Sequence, residues 1–263
     1  ECLKSAYGAG CRWIVLCDTN GGTLPHEIEA IVSDVMKVIP GEKLGIHTHD
    51  DTGNAIANTL AALRAGCRMA QGTLNGLGER CGNANLITLI PTLSLKMGYN
   101  IGIDGDRLKK LRSLSRTLDE ILNRAPATHA PYVGDRAFAH KGGLHASAIM
   151  KNPACYEHIE PELVGNRRNI LVSDQAGRSN MIARLKDLNI DVDPKSENIQ
   201  KLVDLVKERE ADGYAYDGAE ASFEVLARRT LGQVPNYFKT ERFSVTDERR
   251  YNARGDLVTE SEA

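Results

Sequence analysis

Leu44-Gly45-Ile46-His47-Thr48-His49-Asp50-Asp51 is the stretch from which the fold is read. It opens apolar, as a buried strand does, and closes on two imidazoles and two carboxylates. Side chains two apart on a strand share a face, so an extended chain from Ile46 to Asp50 sets His47 beside His49. Two neutral imidazoles so placed can ligate one divalent ion, whereas without an ion they repel once protonated. The other reading is a strand end whose two partly exposed histidines are held by hydrogen bonds. Asp50 is expected to point away from the histidine face. Asp51 is expected to fix an imidazole from behind.

The flanks repeat one pattern. Trp13-Ile14-Val15-Leu16-Cys17 is a continuous apolar run, as in a parallel strand covered on both faces. A Gly-rich turn follows, Asp18-Thr19-Asn20-Gly21-Gly22-Thr23. Pro25 suits a first helical turn, with Thr23 as its cap. Ile28, Ile31, Val32, Val35 and Val38 then recur at helical spacing, and Pro40-Gly41 ends the helix. After the histidine strand comes an Ala-rich helix on Ile56, Leu60 and Leu63, ending at Gly66. Residues 67–74 contain a third strand, residues 75–83 a Gly-rich loop and residues 86–97 an apolar helix. Three strand–loop–helix units with every polar cluster at a strand's C-terminal end mean a (β/α) barrel or an open doubly wound sheet. Three strands cannot close a barrel. Residues 1–10 read as a helix tail, so the chain is expected to be the second part of a larger protein.

Beyond residue 100 the repeat stops. Residues 106–123 read as an amphipathic helix on Leu108, Leu111, Leu114, Leu118, Ile121 and Leu122, followed by an irregular connection marked by Pro126, Pro131 and Gly134. A short strand is expected at Ile170-Leu171-Val172. Helices are expected over 179–188, 195–210 and 220–231. Imperfect alternation over 237–245 suggests a strand, with a polar turn over 249–256 leading to Leu257-Val258-Thr259. These last elements read as the start of a further small domain.

Hydrophobic content of 41% and charged content of 26% suit a globular protein, and a formal net charge of −2 argues for neither nucleic acid nor an anionic membrane as partner. No apolar run approaches the ~18 residues of a membrane span. The start lacks the basic and apolar segments of a signal peptide. Six scattered cysteines, without Cys-x-x-Cys spacing, read as free thiols in mostly strand-like or packed settings. A reducing cytoplasm is the expected location.

Several residues carry candidate chemistry. Asn83 ends the third loop and offers an amide oxygen as a third ligand to the histidine pair; its other reading is a helix N-cap. Thr19 is a candidate donor to an anionic substrate group, or simply a turn residue. Glu79-Arg80 is either an ion pair shaping the pocket or a contact to phosphate or carboxylate. Gly76, Gly78 and Gly82 have the wrong spacing for a dinucleotide fingerprint. His145, just after Gly142-Gly143, is an acid–base candidate or a packing histidine.

Asp18-Thr19-Asn20-Gly21-Gly22, His47-Thr48-His49-Asp50-Asp51-Thr52-Gly53 and Gly76-Leu77-Gly78-Glu79-Arg80-Cys81-Gly82-Asn83-Ala84 together resemble the α-isopropylmalate synthase and homocitrate synthase family. His140 to Ala148, Val164 to Arg168, Ser173 to Asn180 and Ala221 to Arg229 most resemble its citramalate synthase branch. The resemblance implies the last three β/α units of a (β/α)8 TIM barrel over residues 1–100. Helical linker subdomains over 101–212 and the start of an α+β regulatory domain over 213–263 would follow. It implies a Claisen condensation of acetyl-CoA with a 2-oxo acid, pyruvate in the citramalate branch. 2-Oxoisovalerate in a 2-isopropylmalate synthase, or a homocitrate synthase, is the alternative. His47, His49 and Asn83 would hold a divalent metal (Mg, Mn or Zn) with an Asp from elsewhere in the barrel. Thr19, Glu79 and Arg80 would bind substrate, and His145 would serve acid–base steps across a homodimer or higher oligomer with exchanged arms. The family tyrosine that works beside it has no evident match near Arg167, and Asp50 stands where the family usually has Asn. An amino-acid effector would bind the complete regulatory domain. Lacking the metal carboxylate and more than half the barrel, the chain by itself is expected to be inactive. A reading of another class is a non-catalytic oligomerisation or regulatory piece.

Overall fold

The three apolar runs become three parallel strands, β1 (Ile14–Asp18), β2 (Leu44–Thr48) and β3 (Met69–Gln71), in the order β1-β2-β3. Leu16 lies opposite Ile46, and Ile46 opposite Ala70. Helices α2 (Pro25–Met36) and α3 (Ala55–Ala65) connect them, after a short α1 (Cys2–Gly8). Ile14, Leu44 and Ile46 are buried with Ile28 and Val32 of α2 and with Ala61, Ala62 and Leu63 of α3. Each fully buried branched side chain contributes about 1.5–3 kcal/mol, which makes this layer the anchor of the strand ends. The computed structural model describes residues 1–171, 176–216, 218–235, 237 and 241–262. They belong to two compact units, Glu1–Leu171 and Val172–Ala263.

Thr23 is not the cap of α2. Its hydroxyl donates to Asp18 Oδ1 (2.8 Å), and Glu27 accepts instead from the Leu24 backbone N–H (2.8 Å). The apolar segment 86–97 starts as α4 (Leu86–Pro91) and widens into a π-helical turn over Thr92–Lys96. Pro91, inside it, has no N–H to give the ladder.

The single helix expected over 106–123 is two, α5 (Gly105–Leu108) and α6 (Leu111–Ile121). At the break, Gly165 packs on the Lys109 carbonyl so closely that a Cβ would lie 1.9 Å from it. The buried face of α6 is also not the expected leucine stripe. It is Leu111, Ser115 and Asp119, while Leu114 and Ile121 are exposed. The reason is a polar dock: Ser115 Oγ donates to Asn75 Oδ1 (2.7 Å), and Asn75 Nδ2 donates to Asp119 Oδ1 (3.0 Å) and to the Ser115 carbonyl (3.0 Å). This fixes the loop that follows β3. Further along the same unit, β4 (Ala139–His140) precedes α7 (Gly143–Lys151) and pairs in parallel with β5 (Asn169–Ile170). Val172, the last residue of the expected strand, lies outside the described residues, as does the Ser173–Gln175 part of one motif.

The second unit holds α8 (Arg178–Asp187), α9 (Glu197–Ala211) and α10 (Glu220–Thr230), close to the three expected helices. Met181, Leu185, Ile199, Leu202, Val206 and Phe223 form their core. Of the strand expected over 237–245, residues 238–240 lie outside the described residues, and 237 and 241–245 belong to no described strand. The antiparallel ribbon is β6 (Thr246–Tyr251) with β7 (Leu257–Glu262). The residues between them turn the chain, with Gly255 at φ +83°. Every residue of β6 is exposed, so no buried face imprints an alternation that a sequence reading can detect. The six cysteines are free; Cys67 is buried and Cys17 lies in β1, but Cys2, Cys11, Cys81 and Cys155 are exposed outside the strands, against the expectation of mostly strand-like or packed settings.

Candidate functional site

The loop after β3 folds back onto the end of β2. Ala84 N–H donates to the Thr48 carbonyl (3.1 Å), Asp50 N–H donates to the Gly82 carbonyl (3.0 Å), and Asn83 pairs with His49 in an antiparallel bridge. Two glycines allow the fold-back. A Cβ on Gly82, at φ +92°, would lie 1.9 Å from the Gly76 carbonyl, and one on Gly78 would lie 2.0 Å from Asn83 Oδ1.

His47 and His49 share one face, their ring centroids 5.4 Å apart. Thr48 between them is buried on the opposite face, where its hydroxyl donates to the Ala55 carbonyl (3.0 Å). That bond and the apolar layer under it fix which side the imidazoles take. Asn83 Nδ2 donates to His47 Nε2 (2.9 Å). On the other edge of the ring, His47 Nδ1 donates to Gln71 Oε1 (3.1 Å). His49 Nδ1 is buried and has no hydrogen-bond partner among the described residues. Leaving such an atom unsatisfied costs about 1–3 kcal/mol.

Three nearby carboxylates are engaged elsewhere. Asp50 turns away from the histidines, as expected, and accepts from the Ala55 N–H at the start of α3 (2.9 Å). Asp18 accepts from Thr23. Asp51 fixes no imidazole; it takes two hydrogen bonds from Arg80, at 2.7 and 2.9 Å. That guanidinium holds the Asp51 carboxyl below the usual carboxylate range. Arg80 also donates to the Thr19 carbonyl (2.7 Å), so one side chain ties together the loops after β1, β2 and β3. The ion pair in this loop is therefore Arg80 with Asp51, not with its neighbour Glu79. Thr19 and Glu79 are exposed at the same strand ends. Asn83 is not a helix cap; Asn85 takes that role, accepting from Ile87 N–H (3.0 Å).

His145 lies on α7 and is exposed, its ring 4.4 Å from that of Tyr156. Among the described residues no hydrogen bond or ring contact joins it to His47, His49 or Asn83. Beside this pair is a buried ionic cluster. Glu157 accepts from Arg168 Nε (2.7 Å), Arg168 Nη2 (2.5 Å) and His140 Nε2 (3.1 Å). It joins β4, the approach to β5 and the segment carrying Tyr156.

Residues 1–117 match the HMGL-like family, and residues 132–213 match the homocitrate synthase post-HMGL domain-like family. The chain is 49% identical to an (R)-citramalate synthase of Aquifex aeolicus over all of this chain and 49% of that protein. It is 50% identical to an (R)-citramalate synthase of Geobacter sulfurreducens over 97% of this chain and 48% of that protein. The chain matches both family models and aligns over its full length with these synthases, as a fragment of that family does. A probable 2-isopropylmalate synthase of Methanopyrus kandleri is more distant, at 34% over 89% of this chain and 46% of that protein. The chain spans about half the length of the curated relatives it matches.

This likeness implies a divalent metal in the whole protein. Among the described residues there is no group of three or more His, Cys, Asp or Glu able to hold a metal. The synthase residues at hand are instead two imidazoles and one carboxamide. The two imidazoles fit a divalent ion as a partial, uncharged donor set: they share one face, and His49 Nδ1 has no hydrogen-bond partner among the described residues, while Asn83 turns its Nδ2 to His47 and would present Oδ1 to an ion once its amide turns over. The sequence singles out all three as candidates, but not Gln71 beside His47 or Tyr156 beside His145. Gln71 carries no motif, and only the β2–β3 register sets it opposite His47. Tyr156 stands earlier in the chain than the place near Arg167 where a tyrosine partner for His145 was sought. No described helix is long and apolar enough to cross a membrane.

Proposed function

We propose that the whole protein is a cytoplasmic (R)-citramalate synthase, joining acetyl-CoA and pyruvate. The observation that carries this reading is the 49–50% identity to citramalate synthases over essentially the whole chain, against 34% to an isopropylmalate synthase. In the reaction the acetyl methyl group loses a proton and its carbon bonds to the keto carbon of pyruvate, whose oxygen takes up a proton. Water then breaks the thioester, releasing CoA.

His47, His49 and Asn83 hold the metal (Mg, Mn or Zn) in this proposal, with a carboxylate from another barrel strand. The ion supplies Lewis-acid polarisation of the keto group. Thr19 donates its hydroxyl to the substrate carboxylate. Arg80, 40% exposed in spite of its pair with Asp51, keeps an edge available to anionic substrate, and Glu79 faces the same opening. His145, with Tyr156 against its ring, moves protons at an active site across a homodimer. Residues 1–100 then complete a (β/α)8 barrel, 101–212 form the linker subdomains, and 213–263 open a regulatory domain that takes an amino-acid effector.

Release of free CoA, followed with a thiol reagent on the full-length protein with each 2-oxo acid in turn, tests this. Turnover with pyruvate and little with 2-oxoisovalerate is the expected result, since two extra carbons in an apolar pocket change discrimination by roughly 1–3 kcal/mol each. Robust turnover with 2-oxoisovalerate alone would move the protein to the isopropylmalate branch.

A further inference from the structure

The row of residues across the sheet at His47 holds a group that no catalytic or binding role has yet absorbed. Gln71 ends β3, and its Cα is the register partner of His47 on β2. Register partners on neighbouring parallel strands project to the same face. This puts the Gln71 side chain on the imidazole face, where its Oε1 lies 3.1 Å from His47 Nδ1.

Two one-way hydrogen bonds then define the ring. A carboxamide oxygen only accepts, so Nδ1 carries the proton. A carboxamide nitrogen only donates, so Nε2, 2.9 Å from Asn83 Nδ2, holds the lone pair. Both bonds demand the same tautomer. The three carboxylates at these strand ends are engaged elsewhere: Asp50 is bound to Ala55 N–H, Asp51 to Arg80 and Asp18 to Thr23.

We infer that Gln71 is a positioning residue: its side-chain carbonyl locks His47 as the Nδ1–H tautomer and presents the Nε2 lone pair to the point shared with Asn83. This rests on the proposed metal site, and it adds a specific consequence. An amide behind the imidazole donates no net charge, so His47 is a less basic ligand than the carboxylate-backed histidines found in many metal sites. Gln71 therefore sets how tightly the ion is held, and Gln71→Glu should tighten it.

The tautomer can be read without any metal. In the metal-free, 15N-labelled full-length protein near pH 8, where an ordinary imidazole is neutral, the His47 ring should show a protonated Nδ1 and a bare Nε2. Gln71→Leu should mix the tautomers. Gln71→Asn, which keeps a polar amide but draws the carbonyl back by one methylene, should do the same and serves if the leucine variant fails to fold. Titration with Mn2+ or Zn2+ against a chromophoric chelator should show roughly 10- to 100-fold weaker binding for Gln71→Leu. A bare Nδ1 in the unaltered protein overturns the inference. So do a tautomer and a metal affinity that ignore both substitutions, as when water replaces the amide. If the unaltered protein binds no metal, or His47→Ala binds it equally well, the metal reading fails, and the tautomer measurement still decides what Gln71 does.

Discussion

Glu157→Gln is the most informative perturbation of the segment that carries His145 and Tyr156. The Glu157 side chain is 2% exposed, and it accepts two hydrogen bonds from Arg168, whose side chain is 33% exposed, and one from His140. Removing one partner of a fully buried pair costs about 3–5 kcal/mol. Here Arg168 can recover part of its hydration, and glutamine keeps one acceptor. The charge-assisted bonds fall from about 1.5–3 to about 0.5–1.5 kcal/mol each. The net loss is then about 2–3 kcal/mol. Hydrogen exchange followed by mass spectrometry over residues 139–171 should report it locally, as about 30- to 150-fold lower protection. The sign of the pH dependence follows from the carboxyl. Burial opposes its charge, but Arg168 and His140 prevail and hold it below the ordinary glutamate range. A depressed folded-state value stabilises above the unfolded value and is lost as pH falls through the folded one. The difference between Glu157→Gln and the unaltered protein should therefore be full at pH 7 and shrink below about pH 4. Equal protection at pH 7, or a difference that persists undiminished in acid, would refute the cluster as the clamp of this segment.

Two other substitutions or treatments have definite outcomes. Gly78→Ala puts a methyl 2.0 Å from Asn83 Oδ1, and relieving that contact displaces the carboxamide by about 1 Å or more; its φ is not in the left-handed region, so the backbone is not strained. Metal affinity measured by chelator competition should fall by roughly 10- to 100-fold with little change in thermal stability, and unchanged affinity would show that Asn83 is not a ligand. Burial pushes the Cys67 thiol up to about 11. A disulfide reagent at pH 8 should therefore spare it until the protein unfolds, while Cys17 and Cys81, both exposed, react; fast labelling of Cys67 in the native protein would contradict its place in the core.

The elements with a buried face were legible in the chain. The β1 and β2 runs, the spacing of Ile28 and Val32, and the unit-two helices around Ile199 and Leu202 each write their burial into sequence as a period. The same alternation foretold that His47 and His49 share a face and that Asp50 turns away. Reading failed where the deciding partner is polar and distant. Asn75 turns the Ser115–Asp119 face of α6 inward beside Leu111 and leaves Leu114 and Ile121 outside, against what apolar spacing suggests. Arg80 claims Asp51, which left the imidazole to Gln71, and Tyr156 meets His145 by a turn that no periodicity records. A period encodes how much of a segment is buried, because hydrophobic burial depends on area and not on direction. A hydrogen bond depends on where two atoms arrive, and strand register and loop closure determine that only once the chain has folded.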